Sequence, residues 1–246
     1  MKAKIIMVVL ALSLTLSLLA VTVPVGACQP KVALYQSESE GTAILYNLLS
    51  ENYDVTYIGS EEVKAGELSQ YDLVVMPGGG THLLDAILSW KWRQEVKAYV
   101  SGGGAFLGIC GGASVGGLLH LGGASTNWSI PLMGYFIYYS LTGAKGSAEV
   151  DWQEPNLFGM NEGDKTNIVW AAGPYFTDVG QLRVEALYAQ NKLLIPMKGE
   201  PAIVSGYHGS GKVVLIGPHP EYPYPYPDGG GDNAWIIDTA VEWLIN

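Results

Sequence analysis

A cysteine flanked by glycines follows a short apolar segment, and this pattern is typical of a nucleophile in a strained turn. Residues 105–109 are apolar and long enough for one buried strand, and Cys110 comes next, between Gly108 and Gly112. Small residues follow that can begin a helix. A strand, a tight turn and a helix in this order form a nucleophile elbow, in which a Cβ at either glycine would crowd the turn. The helix N-terminus favours the thiolate, so the sequence predicts a nucleophilic Cys110, with a buried inert thiol as the alternative.

A histidine and a carboxylate two positions apart follow a second apolar segment. His219 and Glu221 come directly after residues 213–216, so we expect both side chains at the edge of the sheet where Cys110 lies. A histidine beside a thiol can take its proton, and a carboxylate on the other ring nitrogen fixes the tautomer. We therefore predict Cys110, His219 and Glu221 as catalytic residues, with a proline-rich surface turn around His219 as the alternative.

A glycine-rich loop ends a third apolar segment, residues 73–76. The loop, residues 77–80, reads Pro-Gly-Gly-Gly and offers backbone amides that no side chain obstructs. Such an amide, together with that of the residue after the nucleophile, can bind the oxyanion that develops when a carbonyl is attacked. We predict Gly79 and Gly111 as the oxyanion hole, and as substrate-binding residues Gly78, Gly80 and Gly112.

The elements that must position these residues alternate between strand-like and helix-like patterns from residue 31 onward. The predicted elements are strands at 32–35, 53–58, 73–76 and 105–109, and helices at 42–50 and 81–100, the latter with Trp90 and Trp92 near its buried side. Residues 121–180 carry no clear pattern apart from an aromatic run at 135–139, which we expect to be a core or edge strand, with a ligand platform as the alternative. Strands follow at 182–189, 193–197, 202–207 and 213–216, and a last helix at 232–244. This order predicts an α/β fold with a mainly parallel central sheet, helices on both faces, and ligand chemistry at the carboxyl ends of the strands.

Composition excludes several classes of function. With 246 residues, 48% apolar and 15% charged, the chain can form one ordinary globular domain, and its net charge of −10 argues against binding to nucleic acid or anionic lipid. The four histidines lack metal-ligand spacing, so we expect no metal and no cofactor. Gly206, Gly211 and Lys212 have the spacing of a phosphate-binding loop, but Val213 replaces the required hydroxyl residue, which indicates a hairpin turn at 209–211 instead.

The N-terminus has the features of a targeting segment. Lys2 and Lys4 precede an apolar run at 5–23, and small residues precede Cys28. We expect residues 1–27 to be a signal peptide cleaved after Ala27 or a lipoprotein leader that leaves an acylated Cys28, with an uncleaved membrane anchor as a third alternative. Each places the single domain, residues 28–246, outside the cytoplasm, secreted or tethered to a membrane. A glycosylation sequon at 127–129 would be usable in that setting.

Three segments resemble signatures of the class I glutamine amidotransferase-like superfamily. They are residues 75–80, 106–113 and 219–221, and the chain is most similar to proteins that share the N-terminal domain of some biotin-protein ligases. That group has a Gly-Ile-Cys-x-Gly-Ala elbow, matched at 108–113, and a segment similar to residues 170–176. The resemblance covers roughly residues 31–246. It implies a flavodoxin-like three-layer sandwich and a catalytic triad of Cys110, His219 and Glu221.

The chain departs from the glutaminases of that superfamily at two places. Gly111, Ala113 and Ser114 stand where Leu, His and Gln usually follow the nucleophile, and no Gln precedes His219 by two positions. We also expect no synthetase domain in the chain that could accept ammonia. The sequence therefore predicts an extracytoplasmic cysteine hydrolase that cleaves an amide or γ-glutamyl-type bond in a small molecule or peptide. The alternatives are a non-catalytic binding domain and a partner-dependent glutamine amidotransferase subunit.

Overall fold

The computed structural model describes residues 29–127, 146–192, 195–222 and 232–246. The leader at 1–27 and the sequon residues after Asn127 lie outside the described residues. Within the described ranges, no helix is both long enough and apolar enough to cross a membrane.

The first half of the domain alternates strands and helices, as the sequence predicts. Its elements are β1 (Lys31–Tyr35), α1 (Glu40–Leu49), β2 (Asp54–Ile58), α2 (Ser60–Ala65), β3 (Leu73–Met76), α3 (Thr81–Leu88), α4 (Trp90–Ser101), β4 (Ala105–Ile109) and α5 (Gly111–Leu118). The four predicted strands of this half are all present, with ends that differ by no more than one residue.

The second half is mainly β. Its elements are β5 (Ser125–Thr126), β6 (Gly146–Trp152), β7 (Lys165–Trp170), β8 (Phe176–Asp178), β9 (Arg183–Tyr188), β10 (Pro201–His208), β11 (Gly211–Ile216) and a final helix α6 (Ala234–Ile245). Strands β6 and β7 fall in the stretch 121–180, where neither was predicted, and the strand predicted at 135–139 lies outside the described residues. The predicted strand at 193–197 corresponds only to an isolated bridge between Lys192 and Ile195, and residues 193–194 lie outside the description.

The main sheet has nine strands in the order β2-β1-β3-β4-β11-β10-β9-β6-β7. Neighbours from β2 to β11 pair in parallel, and those from β11 to β7 pair antiparallel. The expectation of a mainly parallel sheet therefore holds for the half that carries Cys110, whereas the sheet as a whole is mixed. A tight turn joins β10 to β11 with Gly209 at φ 62°, so the phosphate-loop spacing belongs to a hairpin.

Two apolar clusters on opposite faces of the sheet give the domain its three layers. Alternating residues of β4 supply both clusters: Leu107 and Ile109 face α1 and α6, and Phe106 faces the side of α2 to α5. All three side chains are fully buried. Burying one such side chain contributes about 1.5–3 kcal/mol to folding, so β4 is a rigid base for the residue that follows it.

Residues 81–100 form two helices and not the single one that the sequence predicted. Ser89 has an extended backbone, and its hydroxyl accepts a hydrogen bond from the amide of Trp92 at 3.2 Å, which caps α4. Trp92 is fully buried as predicted, but Trp90 is 65% exposed. The prediction for Trp90 was wrong because a new helix begins at this residue. The periodicity of α3 therefore does not determine which face Trp90 lies on.

Candidate active site

Cys110 occupies a strained backbone conformation between β4 and α5. Its φ is 51° and its ψ is −104°, a combination that residues with a Cβ rarely adopt. The Cys110 amide donates to the carbonyl of Ile216 at 2.8 Å, and the Cys110 carbonyl accepts from the amide of Ser114 at 3.0 Å. Strain of this kind destabilises a fold by about 1–3 kcal/mol and persists where the surroundings over-determine it. The geometry is that of a nucleophile elbow.

The glycines around Cys110 let α5 lie directly against the sheet. A Cβ on Gly112 would overlap the carbonyl oxygen of Met76, and a Cβ on Gly108 would lie 2.5 Å from the carbonyl oxygen of Gly112. Both are backbone obstacles that a side-chain rotation cannot relieve. The crowding that the sequence predicted at these two positions is therefore present.

His219 and Glu221 form a buried pair just after β11. His219 is 4% exposed and Glu221 is 3% exposed, and the Nδ1 atom of the histidine lies 2.7 Å from Oε1 of the glutamate. The His219 amide donates to the carbonyl of Val169 at 2.7 Å, which fixes the residue against β7. A carboxylate at Nδ1 holds the proton on that nitrogen and leaves Nε2 for a second partner.

The second partner of the imidazole is Cys110. Burial of His219 favours the neutral ring, but the negative charges of the Cys110 thiolate and Glu221, with hydrogen bonds to both, outweigh burial and raise the pKa of His219 well above its usual value. The structure thus brings the three predicted catalytic side chains together in one electrostatically coupled group.

A loop after β7 forms a wall of the site that sequence reasoning missed. The Sγ atom of Cys110 lies 3.8 Å from the carbonyl oxygen of Ala171, and Ala172 has a φ of 58°, which is unusual for a residue with a Cβ. A Cβ on Gly173 would overlap the carbonyl oxygen of Gly217, so the loop packs tightly on the end of β11. Residues 170–176 resemble a segment of the group named in the sequence analysis, and that resemblance was the sequence signal for this loop. No site residue was predicted from it. As a result of this packing, Cys110 is only 7% exposed.

The predicted oxyanion-hole glycines are neighbours. A Cβ built on Gly111 would lie 3.2 Å from the amide nitrogen of Gly79, and Gly79 has a φ of 111°, which only glycine adopts readily. Neither the Gly79 amide nor the Gly111 amide donates to any residue that the structure describes. Two unpaired amides beside the nucleophile are what a developing oxyanion requires.

The other three glycines of the predicted site have different surroundings. Gly78 contacts the imidazole, since a Cβ there would lie 2.5 Å from Cε1 of His219. The Gly80 amide donates to Oε1 of Glu38 at 2.7 Å, and the Gly112 amide donates to the carbonyl of Pro77 at 3.0 Å. The amides of Gly80 and Gly112 already donate to other groups of the protein. A role of these glycines in substrate binding, through atoms other than their amides, stays a prediction.

A second histidine that the sequence analysis did not assign lies directly behind the elbow. His82 belongs to the first turn of α3 and is fully buried, and its Nε2 atom would be 3.1 Å from a Cβ on Gly111. Burial lowers the pKa of His82 to about 4, against weaker opposing effects of Glu38 and Asp85. His82 is therefore neutral near pH 7 and packs against Gly111 of the elbow. No sequence signal distinguished it from an ordinary core histidine.

A pocket of about 410 Å³ opens beside the glycine loop, at the carboxyl ends of β1 and β2. Its lining includes Tyr35, Ser37, Glu38, Ser60, Thr81 and Asp85. The hydroxyl of Tyr35 donates to Asp85 at 2.7 Å. Across the part of the chain that the structure describes, no group of three or more His, Cys, Asp or Glu side chains is arranged to hold a metal ion.

Comparisons with known proteins agree on the fold. The family model described as "Biotin-protein ligase, N terminal" matches residues 30–118 and 131–233. An uncharacterized protein of Chlamydia muridarum is 30% identical over 168 residues, which are 61% of this chain and 60% of that relative's length. The chain thus spans less than two thirds of the curated relative that it matches.

Solved structures with the same arrangement have low sequence identity to this chain. A chain of PurLQS from Thermotoga maritima is 18% identical with a TM-score of 0.64, covering 88% of this chain and 99% of that one. A protein from Thermoplasma acidophilum, described as one subunit of a putative GMP synthase, is 17% identical with a TM-score of 0.57, covering 87% and 96%. A β-galactosidase from Bacillus circulans sp. alkalophilus is 15% identical with a TM-score of 0.55, covering 87% of this chain but 31% of that one. Because the family model matches most of the chain, this protein belongs to the family of the biotin-protein ligase N-terminal domain and has the class I glutamine amidotransferase-like fold.

Proposed function

We propose that this protein is an extracytoplasmic cysteine hydrolase that cleaves an amide or γ-glutamyl-type bond in a small molecule or a peptide. The observation that carries the proposal is the strained Cys110 beside a buried His219–Glu221 pair. A fold has no structural need for a cysteine with a φ of 51°, where glycine would be less strained. A thiolate at that position, with an imidazolium next to it, is suited to attack a carbonyl carbon.

The proposed reaction has two steps, each with a proton carried by His219. In the first, the Cys110 sulfur bonds to the carbonyl carbon, the amides of Gly79 and Gly111 bind the oxyanion, and His219 gives its proton to the leaving amine as the carbon–nitrogen bond breaks. In the second, His219 takes a proton from water, the resulting hydroxide attacks the thioester, and the thiolate leaves. Glu221 holds the ring in the required orientation and stabilises its positive charge in both steps.

One observation favours a different class of function. Cys110 is 7% exposed, and the Ala171 carbonyl lies against its sulfur, so the elbow could serve a non-catalytic binding domain in which the thiol is structural. The structural similarity to PurLQS supports the third alternative, a glutamine amidotransferase subunit that works with a partner. The departures from the glutaminase pattern at Gly111, Ala113 and Ser114 weigh against glutamine as the substrate.

The test is a comparison of amide cleavage by the wild-type protein and by Cys110→Ala. A panel of chromogenic γ-glutamyl and aminoacyl anilides reports hydrolysis, and L-glutamine with ammonia detection reports glutaminase activity. We expect anilide cleavage by the wild type, none by Cys110→Ala, and little by His219→Ala. Ammonia release from glutamine alone would favour the amidotransferase alternative. Equal background rates for all variants on every substrate, with a thiol that reacts only after unfolding, would favour the binding domain.

A further inference from the structure

We propose that Ser37 and Glu38, in the loop between β1 and α1, are positioning residues that hold the Gly79 amide in place as an oxyanion donor. The inference rests on the proposed function, because an oxyanion forms only if Cys110 attacks a carbonyl. Neither residue was predicted from the sequence, and neither contacts Cys110 in any hydrogen bond of the described residues.

Ser37 and Glu38 bind the glycine loop on both sides of Gly79. The Ser37 hydroxyl donates to the carbonyl of Gly78 at 2.8 Å, and Oε1 of Glu38 accepts from the amide of Gly80 at 2.7 Å. The other carboxylate oxygen accepts from the amide of Thr81 at 3.3 Å and also from the Thr81 hydroxyl. The two peptide groups that flank Gly79 are therefore fixed by residues of one neighbouring loop.

This fixation matters because the loop would otherwise be free to rotate. Three consecutive glycines have more accessible backbone conformations than any other tripeptide, and Gly79 has a φ of 111°. The Ser37 hydroxyl also lies against Gly79 itself, since a Cβ there would overlap its oxygen. Without these contacts, the direction of the Gly79 amide would be set only by the elbow.

The elbow holds the loop from the opposite side. The Gly112 amide donates to the carbonyl of Pro77 at 3.0 Å, and Gly111 lies against the Gly79 carbonyl and amide. Backbone groups of the loop before and after Gly79 are thus hydrogen-bonded, whereas the Gly79 amide has no partner among the described residues. A loop held at both ends with one unpaired amide beside the nucleophile is preorganised to bind an anion.

The charge of Glu38 distinguishes positioning from direct electrostatics. Burial raises the pKa of Glu38, but hydrogen bonds from the side chain of Thr81 and the amide of Gly80 outweigh it and lower the pKa to about 2. Glu38 is therefore ionised near pH 7, and its charge repels a developing oxyanion. If direct electrostatics dominated, removing Glu38 would speed the attack on a carbonyl, whereas loss of positioning would slow it.

Two reactions of Cys110 separate oxyanion stabilisation from thiol reactivity. With p-nitrophenyl acetate, a sulfur–carbon bond forms at the ester carbonyl, an oxyanion develops, and p-nitrophenolate leaves as the carbon–oxygen bond breaks. With iodoacetamide, the sulfur displaces iodide at a saturated carbon and no oxyanion forms. Acylation is followed by the release of p-nitrophenolate that Cys110→Ala abolishes, which does not require the thioester to persist, and alkylation by peptide mass spectrometry on the folded full-length protein. The ratio of the two rates reports the oxyanion hole alone.

The variants are Ser37→Ala, Glu38→Ala and Glu38→Gln, with Glu51→Ala as the matched control. Glu51 is an exposed glutamate in the connection between α1 and β2, away from the glycine loop. We expect Ser37→Ala and Glu38→Ala to slow acylation about tenfold, less than the 10²–10³ typical for complete loss of a donor, and to change alkylation less than about twofold. Glu38→Gln keeps an acceptor oxygen and should recover part of the acylation rate. Glu51→Ala should match the wild type in both reactions.

The outcomes separate this inference from the proposed function. If wild-type Cys110 is alkylated but not acylated, the proposed function fails. If the wild type is acylated and Ser37→Ala and Glu38→Ala are acylated as fast or faster, the positioning role is overturned while the proposed function stands. A parallel loss of acylation and alkylation in these variants would also overturn it, because it would show a general disturbance of Cys110.

Discussion

Replacing Cys110 by glycine should make the protein more stable than replacing it by alanine. Cys110 has a φ of 51° and a ψ of −104°, and any residue with a Cβ keeps this strain. Glycine has no Cβ and adopts positive φ readily. The two variants both remove the thiol, so they differ in the strain, in the freedom of the unfolded chain and in one methyl group.

The magnitude follows from three contributions, of which one favours glycine and two favour alanine. Relief of a strained backbone conformation is worth about 1–3 kcal/mol. Glycine makes the unfolded chain more flexible than alanine does, which lowers stability by about 0.4–1 kcal/mol. The loss of one buried methyl group adds roughly 0.8 kcal/mol against glycine where that methyl is well packed. With the middle of each range, we expect Cys110→Gly to be more stable than Cys110→Ala by about 0.5 kcal/mol.

Urea unfolding followed by circular dichroism measures this difference. Ala98→Gly is the matched control, because Ala98 is exposed within α4 and has ordinary helical geometry. There the same Ala-to-Gly difference should have the opposite sign, with glycine less stable by about 1 kcal/mol.

An alanine variant at Cys110 that is as stable as the glycine variant, or more stable, would refute the reasoning. It would mean that the elbow does not store strain, and that the backbone conformation of Cys110 is not held against its own preference. The argument that glycine would suit a purely structural turn at this position would then lose its basis.

Four further predictions concern other parts of the molecule. Glu221→Gln should lower turnover about 100-fold or more while the thiol still reacts, because the imidazole loses its charged partner, as steady-state rates and alkylation would show. Gly78→Ala should lower turnover about 100-fold, since a Cβ would lie 2.5 Å from Cε1 of His219 and displace the ring. For His82, the folded pKa of about 4 lies below the ordinary value of 6.5, so the unfolded state binds the proton first as the pH is lowered. The free energy of unfolding therefore decreases as the pH is lowered. Between pH 7 and pH 5 the loss should be about 2 kcal/mol in urea unfolding, and His82→Leu should not show that component. Mass spectrometry of the protein from its host should find a mature chain that begins at Cys28, with or without lipid, and an unprocessed chain starting at Met1 would contradict the proposed location.

The parts of the fold that could be predicted are those with local signals. The strands β1, β3 and β4 are short and apolar apart from Lys31, and glycine, proline or polar residues lie next to them, so both their existence and their parallel pairing followed from the pattern. The elbow followed from the glycines around Cys110, because close backbone contact excludes any other residue there. The break at Ser89 was missed because serine is compatible with a helix interior and becomes a cap only when the backbone is extended.

What could not be predicted depends on contacts between distant segments. β7 lies at the far edge of the sheet, yet its end reaches the candidate active site, where the Val169 carbonyl accepts from the His219 amide and the Ala171 carbonyl contacts Cys110. In β6 the apolar residues Ala148, Val150 and Trp152 alternate with polar ones, a strand signal that the sequence analysis did not use. No local pattern in β6 or β7 indicates the return of the chain to Cys110. The proposed role of Glu38 was equally hidden, since an exposed glutamate after a strand is ordinary until its hydrogen bonds with Gly80 and Thr81 are seen.

The most direct test of the central claim is the pH dependence of Cys110 alkylation by iodoacetamide in the folded protein. In the wild type, the raised pKa of His219 keeps the imidazole positively charged near pH 7, and that charge favours the thiolate. We expect Cys110 to be labelled near neutral pH, and we expect His219→Ala to move the labelling profile to higher pH. Labelling that occurs only after denaturation, or a profile that His219→Ala leaves unchanged, would contradict the account of Cys110 as an activated nucleophile.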